Sequence, residues 1–538
     1  MEPAGGRPHT GRPMSLVTDL VRRHESGVRP LFVEANRAWV DAAVTGTDAA
    51  FARSEAAQNA LDRELSDRAV FAEAKRLRDS GEVRDPLERR LVEVVWLARL
   101  GKQVPEEILR RITEKGVAVE KAFNTFRAET DGRRFSENEV REVLRKSADS
   151  GFRRRVWEAS KRVGALVEPD LKELVRLRNE AARTLGFSDH YALALAVDEH
   201  DERELFLLLD RIDGLTRDAF ARAKAEADAV LARRYGIAGK ELRPWHYEDP
   251  FFQEAPEVFG VDLDAPYAGK DVVAIAREFF TGVGLPVEDV LARSDLYEKP
   301  GKTPHAFCTN VDRENDVRVI CNVVPSERWM ETTLHELGHA VYEKHFAPGT
   351  PWTLRAPSHT LTTEAIAMLF GRLPKSGRWM KEALALGEGE SARFGEPARQ
   401  ALRLRQLVFS RWVQVMTRFE RELYRAPSRD LNALWWDLVE RYQGVTRPEG
   451  RSAPDYASKI HIVAAPVYYH NYLLGEVFAS QLHAALDAEK KGYSGRREVG
   501  EFLRERVFAP AATLRWDALC RHATGSPLSP DAFAREYV

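Results

Sequence analysis

The chain has 538 residues, and its 81 Lys and Arg residues nearly balance 83 Asp and Glu residues, giving a net charge of −2. A chain of this length can bury a large hydrophobic core. The balanced charge gives no reason to expect a nucleic acid or an anionic membrane as a partner, and no stretch is apolar for long enough to predict a membrane span.

The N-terminus and the cysteines bear on localisation. Residues 1–13 are polar, rich in Gly and Pro, and lack the apolar core of a signal peptide, so we predict a disordered leader and a cytoplasmic protein. The three cysteines, Cys308, Cys321 and Cys520, are too few for a disulfide framework. Cys308 and Cys321 could pair across a hairpin, but reduced, half-buried thiols are expected in the cytoplasm.

The first part of the chain is predicted to be almost wholly helical. From about residue 15 to residue 235, apolar side chains recur three and four positions apart. Residues 14–130 are dense in charge and could form lid-like helices over a deeper site. The helical pattern weakens over residues 236–267 and resumes at 271–283.

A hairpin at residues 305–308 and 317–324 is the only convincing β structure that the sequence predicts. The second segment is rich in β-branched residues, and a polar turn separates the two. Further helices are predicted at residues 360–373, 396–423, 429–442 and 464–486. The predicted fold is therefore mainly α, with one small hairpin beside the helix described next.

Residues 335–339 read His-Glu-Leu-Gly-His, an H-E-x-x-H motif. On a helix, His335 and His339 lie one turn apart and direct two imidazole nitrogens at one point, which suits zinc. Glu336 could then act as a general base on a water at the open side of the metal. A surface helix with two ordinary histidines is the alternative, but the apolar residues around the motif favour a buried helix, where histidines need a partner.

A catalytic zinc site needs a third protein ligand. His345 and His359 are candidates, as is Glu364, which a run of apolar residues follows. A carboxylate in such surroundings is costly to bury unless it is paired or binds a metal, so we predict Glu364 as the third ligand and one Zn²⁺ per chain. The alternative is a Glu that caps a helix or forms an ion pair near its start.

Tyr469 and Tyr472 form a second candidate group. They are three positions apart and share a helix face. A phenol beside the metal could donate a hydrogen bond to an oxyanion without carrying charge. The alternative, two core aromatics with outward hydroxyls, is equally compatible with the spacing.

Together these motifs resemble the angiotensin-converting-enzyme family of zinc peptidyl dipeptidases, in a soluble, bacterial-type form, and more distantly the thimet oligopeptidase family. The matches run in chain order: His305-Ala306, the H-E-x-G-H motif, Glu364-Ala365-Ile366, Lys459-x-His461-Ile462, and the block from Pro466 to Tyr472.

The resemblance implies a role for each matching residue. Zinc would be bound by His335, His339 and Glu364, with Glu336 as the base. The substrate-binding strand would include His305 and Ala306. Tyr472 would stabilise the oxyanion, and His461 and His305 would contact the substrate carbonyl next to the cleaved bond. The substrate's C-terminal carboxylate would be held by Lys459 and Tyr469, with Gln253 a weaker candidate for a third contact.

Three departures from the family pattern stand out. Met368 replaces an Asp that orients a zinc ligand in the family, so another group must do so here. The segment after His461 is one residue longer, which leaves the choice between Tyr468 and Tyr469 open. Asn471, with the preceding histidine, stands where the family has an Arg tied to chloride, so no chloride dependence is expected.

The resemblance implies a single domain over residues 14–538, with two helical lobes around a deep substrate channel and a catalytic core at 300–490. The expected function is zinc-dependent hydrolysis of short peptides, with release of C-terminal dipeptides. An oligoendopeptidase or a carboxypeptidase on the same scaffold is the alternative. A non-catalytic peptide-binding protein is less favoured, because no ligand or base is lost. The sequence leaves the oligomeric state open.

Overall fold

The computed structural model describes residues 15–538, except for the side chain of residue 489. The predicted leader, residues 1–13, lies outside the described residues. The described chain is mainly helical, as predicted, with two small two-stranded antiparallel sheets. The two lobes and the channel stay predictions.

The N-terminal region is a series of helices, most of them capped by a Ser, Thr or Asp side chain that accepts a backbone N–H of the first turn. They are α1 (Leu16–Thr45), α2 (Asp48–Leu65), α3 (Arg68–Asp79), α4 (Pro86–Leu100), α5 (Glu106–Thr125), α6 (Glu137–Lys146), α7 (Ser150–Thr184), α8 (His190–Val197) and α9 (Glu202–Tyr235).

A hairpin interrupts this almost wholly helical region, so the chain contains β structure beyond the one hairpin predicted at residues 305–324. Strand β1 (Ala128–Thr130) pairs with β2 (Arg133–Phe135). The turn between them is Asp131-Gly132, and both residues have positive φ, 52° and 70°. An Asp-Gly pair is a strong hairpin signal, and it was available in the sequence.

The one predicted hairpin is confirmed, although its first strand begins at Phe307 rather than at residue 305 and its second ends at Ile320 rather than at residue 324. Strand β3 (Phe307–Asn310) pairs with β4 (Val317–Ile320), with Cys308 opposite Val319. Cys308, Cys321 and Cys520 are free thiols, as expected.

The rest of the chain is again helical. The helices are α10 (Val272–Gly282), α11 (Glu288–Arg293), α12 (Glu327–Glu343), α13 (Thr360–Gly371), α14 (Gly377–Ala383), α15 (Glu388–Arg425), α16 (Leu431–Gln443), α17 (His461–Ala464), α18 (Tyr469–Ala485), α19 (Ala488–Lys491), α20 (Arg497–Leu503), α21 (Trp516–Thr524) and α22 (Asp531–Tyr537).

The helix predicted at 464–486 is not continuous. Ala464 is the last residue of α17, and a short turn follows in which Pro466 cannot donate a backbone hydrogen bond and Val467 has φ of 57°. As a result, α18 begins at Tyr469 rather than several residues earlier.

Two glycines let α12, α13 and α18 pack closely together. A Cβ at Gly338 of α12 would lie only 2.9 Å from the Cα of Ala367 on α13. A Cβ at Gly475 of α18 would lie 3.1 Å from the Cβ of Glu364, also on α13. Because these two glycines have no side chain, α12 with the H-E-x-x-H motif, α13 with Glu364 and α18 with the tyrosines can pack closely together.

No helix within residues 15–538 combines the length and the apolar character needed to traverse a lipid bilayer. The cytoplasmic location expected from the sequence stays a prediction.

Candidate metal centre and active site

Helices α12 and α13 bring three potential metal ligands together. One ligand atom from each of His335, His339 and Glu364 lies within 4.8 Å of the others. The Nε2 atom of His335 is 3.8 Å from Oε2 of Glu364. The structure therefore places Glu364, rather than His345 or His359, beside the two motif histidines.

The hydrogen bonding and protonation of these three side chains are compatible with a bound cation. The Oε2 atom of Glu364 is buried and has no hydrogen-bond partner among the described residues. Burial lowers the pKa of His335 to about 4 and that of His339 well below its usual value, so both imidazoles are neutral at pH 7 and can donate a lone pair. Two neutral imidazoles and one carboxylate are a ligand set that zinc accepts while keeping a position open.

A threonine hydroxyl fixes the ring orientation of His339, a role for which Met368 has no suitable group. The Nδ1 atom of His339 lies 2.7 Å from the hydroxyl of Thr363, which directly precedes Glu364. This hydrogen bond leaves Nε2 as the nitrogen available to a metal. The carboxylate of Glu331, one turn before His335, acts electrostatically on that ring.

Glu336 lies on the same helix, with only 7% of its surface exposed. Burial, with a smaller contribution from Glu364, raises the pKa of Glu336 to about 8 in the absence of a metal, although a hydrogen bond from the backbone of Cys308 opposes the shift. A carboxylate that binds a proton near neutral pH is suited to acid–base chemistry. The same hydrogen bond ties Glu336 to strand β3.

Tyr468 and Tyr469, at the start of α18, have different aromatic neighbours. The ring of Tyr469 is buried and lies 5.2 Å from that of His461, while Tyr468 packs 5.1 Å from Tyr472. The carboxylate of Glu364 contributes to the raised pKa values of both Tyr468 and Tyr472, so these two phenols lie near that carboxylate. Burial raises the pKa of Tyr472 to about 12, which keeps its hydroxyl a neutral donor.

The residues that the family resemblance assigns to the substrate's carboxylate lie together. The Nζ atom of Lys459 donates to Oε1 of Gln253 over 2.6 Å, although 206 positions separate them. The same Nζ is 5.6 Å from the ring centroid of Tyr469. Burial lowers the pKa of Lys459 to about 8. This group supports Tyr469 over Tyr468 as the carboxylate-binding tyrosine.

His305 and Ala306 directly precede β3. Ala306 is half-buried against the main core, whereas His305 is exposed. Among the hydrogen bonds, ion pairs and ring contacts of residues 15–538, none joins the ring of His305 to the metal group. Its proposed contact with substrate stays a prediction.

A second histidine-rich group, which the sequence-based reasoning missed, surrounds Asn471. Atoms of Asp198, His200 and His359 lie within 4.8 Å of one another. The Nδ1 atom of His359 accepts the N–H of Leu361, so the proton of a neutral ring is on Nε2, 2.7 Å from the backbone oxygen of Asp198. Asn471 donates to Asp198 over 2.7 Å and accepts from His200 over 3.0 Å. Nitrogens that carry protons cannot bind a metal, so this group anchors α13 and α18 instead.

Removal of the metal should destabilise the protein more at pH 8.5 than at pH 7. Without metal, burial raises the pKa of Glu364 to about 7 and that of Glu336 to about 8. A carboxyl whose folded pKa lies above its unfolded pKa loses stabilisation as the pH rises through the folded value. Zinc would pair with the ionised Glu364 and remove this loss.

Melting temperatures with zinc and with a chelator at both pH values measure this effect. His339→Ala is the control, because its melting temperature should not respond to the chelator. An equal chelator effect at pH 7 and pH 8.5 would contradict the prediction.

The fold and the site define a mainly helical protein with a half-buried group of two histidines and one glutamate that can hold a metal ion. Residues 258–503 match the model of the M2 peptidase family, described as angiotensin-converting enzyme. The resemblance to the angiotensin-converting-enzyme family that the motifs predicted is confirmed. The family consists of zinc-dependent metallopeptidases, which are hydrolases.

Curated proteins give the same result. The chain is 25% identical over 398 residues to angiotensin-converting enzyme-like protein Ace3 of Mus musculus, covering 67% of this chain and 52% of that protein. It is 26% identical over 373 residues to angiotensin-converting enzyme of Oryctolagus cuniculus, covering 63% and 28% of the two chains. The enzyme of Theromyzon tessulatum is 22% identical over 306 residues, covering 52% and 49%. The chain thus spans about half or less of each of these relatives.

Proposed function

We propose that this protein is a zinc metallopeptidase that removes dipeptides from the C-termini of short peptides. The observation that carries the proposal is the convergence of His335, His339 and Glu364 on one point, with Glu336 beside them. In this proposal the three side chains are the zinc ligands. When bound, zinc supplies Lewis-acid polarisation of a carbonyl and lowers the pKa of a water.

The protein's own residues divide the proton transfers and the charge stabilisation. Glu336 takes a proton from the attacking water and returns it to the leaving amine. The neutral hydroxyl of Tyr472 donates a hydrogen bond to the developing oxyanion, and His461 contacts the substrate carbonyl next to the cleaved bond. The Nδ1 atom of His461 is buried and has no hydrogen-bond partner among the described residues, so its hydrogen-bonding capacity is not used by the protein itself.

A lysine that binds the C-terminal carboxylate of the substrate at a fixed position would determine the length of the released product. Lys459, Gln253 and Tyr469 would hold the substrate's free carboxylate at a constant distance from the metal group. An ammonium and a carboxylate form a charge-assisted hydrogen bond, which is stronger than a neutral one. This group favours exopeptidase action over the oligoendopeptidase alternative.

Lys459→Met should raise KM by about 10- to 100-fold for a peptide with a free C-terminus, since a hydrogen bond between charged groups contributes about 1.5–3 kcal/mol. The same peptide as a C-terminal amide should be a poor substrate of the wild type, and the substitution should hardly change its KM. Because the pKa of Lys459 is lowered to about 8, the preference for the free acid should also decline as the pH rises above 8.

Steady-state kinetics on the two peptides measure this preference. Lys161→Met is the matched control, because Lys161 is another buried lysine over the ring of Phe251 but is not assigned to the carboxylate. It should leave the ratio of the two KM values unchanged. Equal hydrolysis of acid and amide by the wild type would favour the endopeptidase alternative.

A further inference from the structure

The turn between α17 and α18 contains a β-branched residue in the left-handed region of φ. Val467 has φ of 57° and is 5% exposed. This conformation is unfavourable for any residue with a Cβ and more so for valine, so the surrounding structure must hold it in place. The turn joins His461 on one side to Tyr469 and Tyr472 on the other.

A buried glutamate holds the backbone of this residue. Oε1 of Glu420, on α15, accepts the N–H of Val467 over 2.8 Å, and Glu420 is 1% exposed. Burial raises the pKa of Glu420 to about 8. The side chain is therefore largely an uncharged acceptor at neutral pH, the role that a carboxamide could also fill.

An arginine from α7 holds the other end of the same segment. Arg178 donates to the backbone oxygens of Ile462 and Val463 over 3.3 and 2.7 Å, and to the hydroxyl of Tyr424 over 3.1 Å. Tyr424 is on α15, one turn after Glu420. Residues 462–467 are thus fixed at both ends from α7 and α15.

We propose that Glu420 and Arg178 are positioning residues that hold Val467 in its left-handed conformation and thereby set Tyr469 and Tyr472 against His461. The inference rests on the proposed function for its catalytic consequence. Neither positioning residue touches the metal group, whose ligands lie on α12 and α13.

Glu420→Leu should lower kcat/KM by about 10- to 100-fold, since a displacement of about 1 Å in a reacting group can cost about that much. Zinc content should stay at one ion per chain. Glu420→Gln keeps an acceptor oxygen and should retain most of the activity. Val467→Gly in the Glu420→Leu background should recover at least about five-fold, because glycine adopts positive φ without strain. A merely structural role for Glu420 would not produce this rescue.

Chemical unfolding tests the turn independently of catalysis. It compares the wild type, Glu420→Leu, Val467→Gly and the double variant that combines these two substitutions. The changes that Glu420→Leu and Val467→Gly make in the unfolding equilibrium constant should not simply multiply in the double variant, and the discrepancy should be about two-fold or more, because contacting residues are coupled. Independent effects of the two substitutions on the free energy of unfolding would contradict the proposal that Glu420 holds Val467 in its left-handed conformation. Wild-type activity in Glu420→Leu would overturn the positioning of the tyrosines. No hydrolysis by zinc-loaded wild type would instead overturn the proposed function, and the unfolding coupling would still decide the turn.

Discussion

Glu336→Gln should abolish nearly all hydrolysis without removing the metal. A general base contributes about 10²- to 10⁴-fold to rate, so kcat should fall by about that factor. The amide oxygen can still accept the Cys308 N–H, and Glu336 is not among the three converging ligands, so fold and zinc content should be unchanged. Initial rates and metal analysis of the purified variant measure both quantities.

Glu343→Gln is the matched control for this substitution. Glu343 lies at the end of the same helix, is buried enough to raise its pKa to about 7, and accepts a hydrogen bond from Asn310 over 3.2 Å. Its amide would keep that hydrogen bond, so activity should remain close to that of the wild type. Substantial hydrolysis by zinc-loaded Glu336→Gln would show that another group is the base.

Gly338→Ala should weaken zinc binding by about 10- to 100-fold and lower the melting temperature, because overpacking in a core costs about 1–3 kcal/mol. The added Cβ would lie 2.9 Å from the Cα of Ala367, and backbone atoms of α13 cannot move aside as a flexible side chain could. The helices must separate, which moves Glu364 away from the two histidines. Zinc affinity and thermal unfolding are the measurements.

Gly116→Ala is the control for the effect of alanine itself. Gly116 is inside α5, and a Cβ there meets nothing within 4 Å. Alanine should stabilise that helix by up to about 1 kcal/mol and leave zinc affinity unchanged. If Gly338→Ala behaved in the same way, the close approach of α12 and α13 would not be what assembles the metal group.

Local spacing explains why much of the site could be predicted from the sequence. His335 and His339 share a face through helical periodicity alone, and Glu364 is conspicuous as a carboxyl group in apolar surroundings. Contacts between distant parts of the chain could not be predicted in this way. The hydrogen bond between Lys459 and Gln253 crosses 206 positions, and no local pattern encodes it.

The errors in the predicted fold have similar physical causes. Apolar periodicity continues across residues 464–468, so the sequence indicates one helix. Instead, the N–H of Val467 donates a hydrogen bond to Glu420 of α15, which stabilises a turn there. The sequence does not identify Thr363 as a partner of His339, because a threonine near the start of a helix usually caps that helix. The Asp131-Gly132 hairpin, in contrast, had a recognisable signal that the surrounding helical pattern obscured.

The most direct test of a zinc-dependent peptidyl dipeptidase is mass analysis of the products from an unblocked hexapeptide incubated with the zinc-loaded wild type. Successive loss of two C-terminal residues, abolished by a chelator and restored by zinc, is the predicted result. Loss of single residues would make the protein a carboxypeptidase, and internal cleavage would make it an endopeptidase. Intact peptide across several sequences would contradict the assignment of a peptidase.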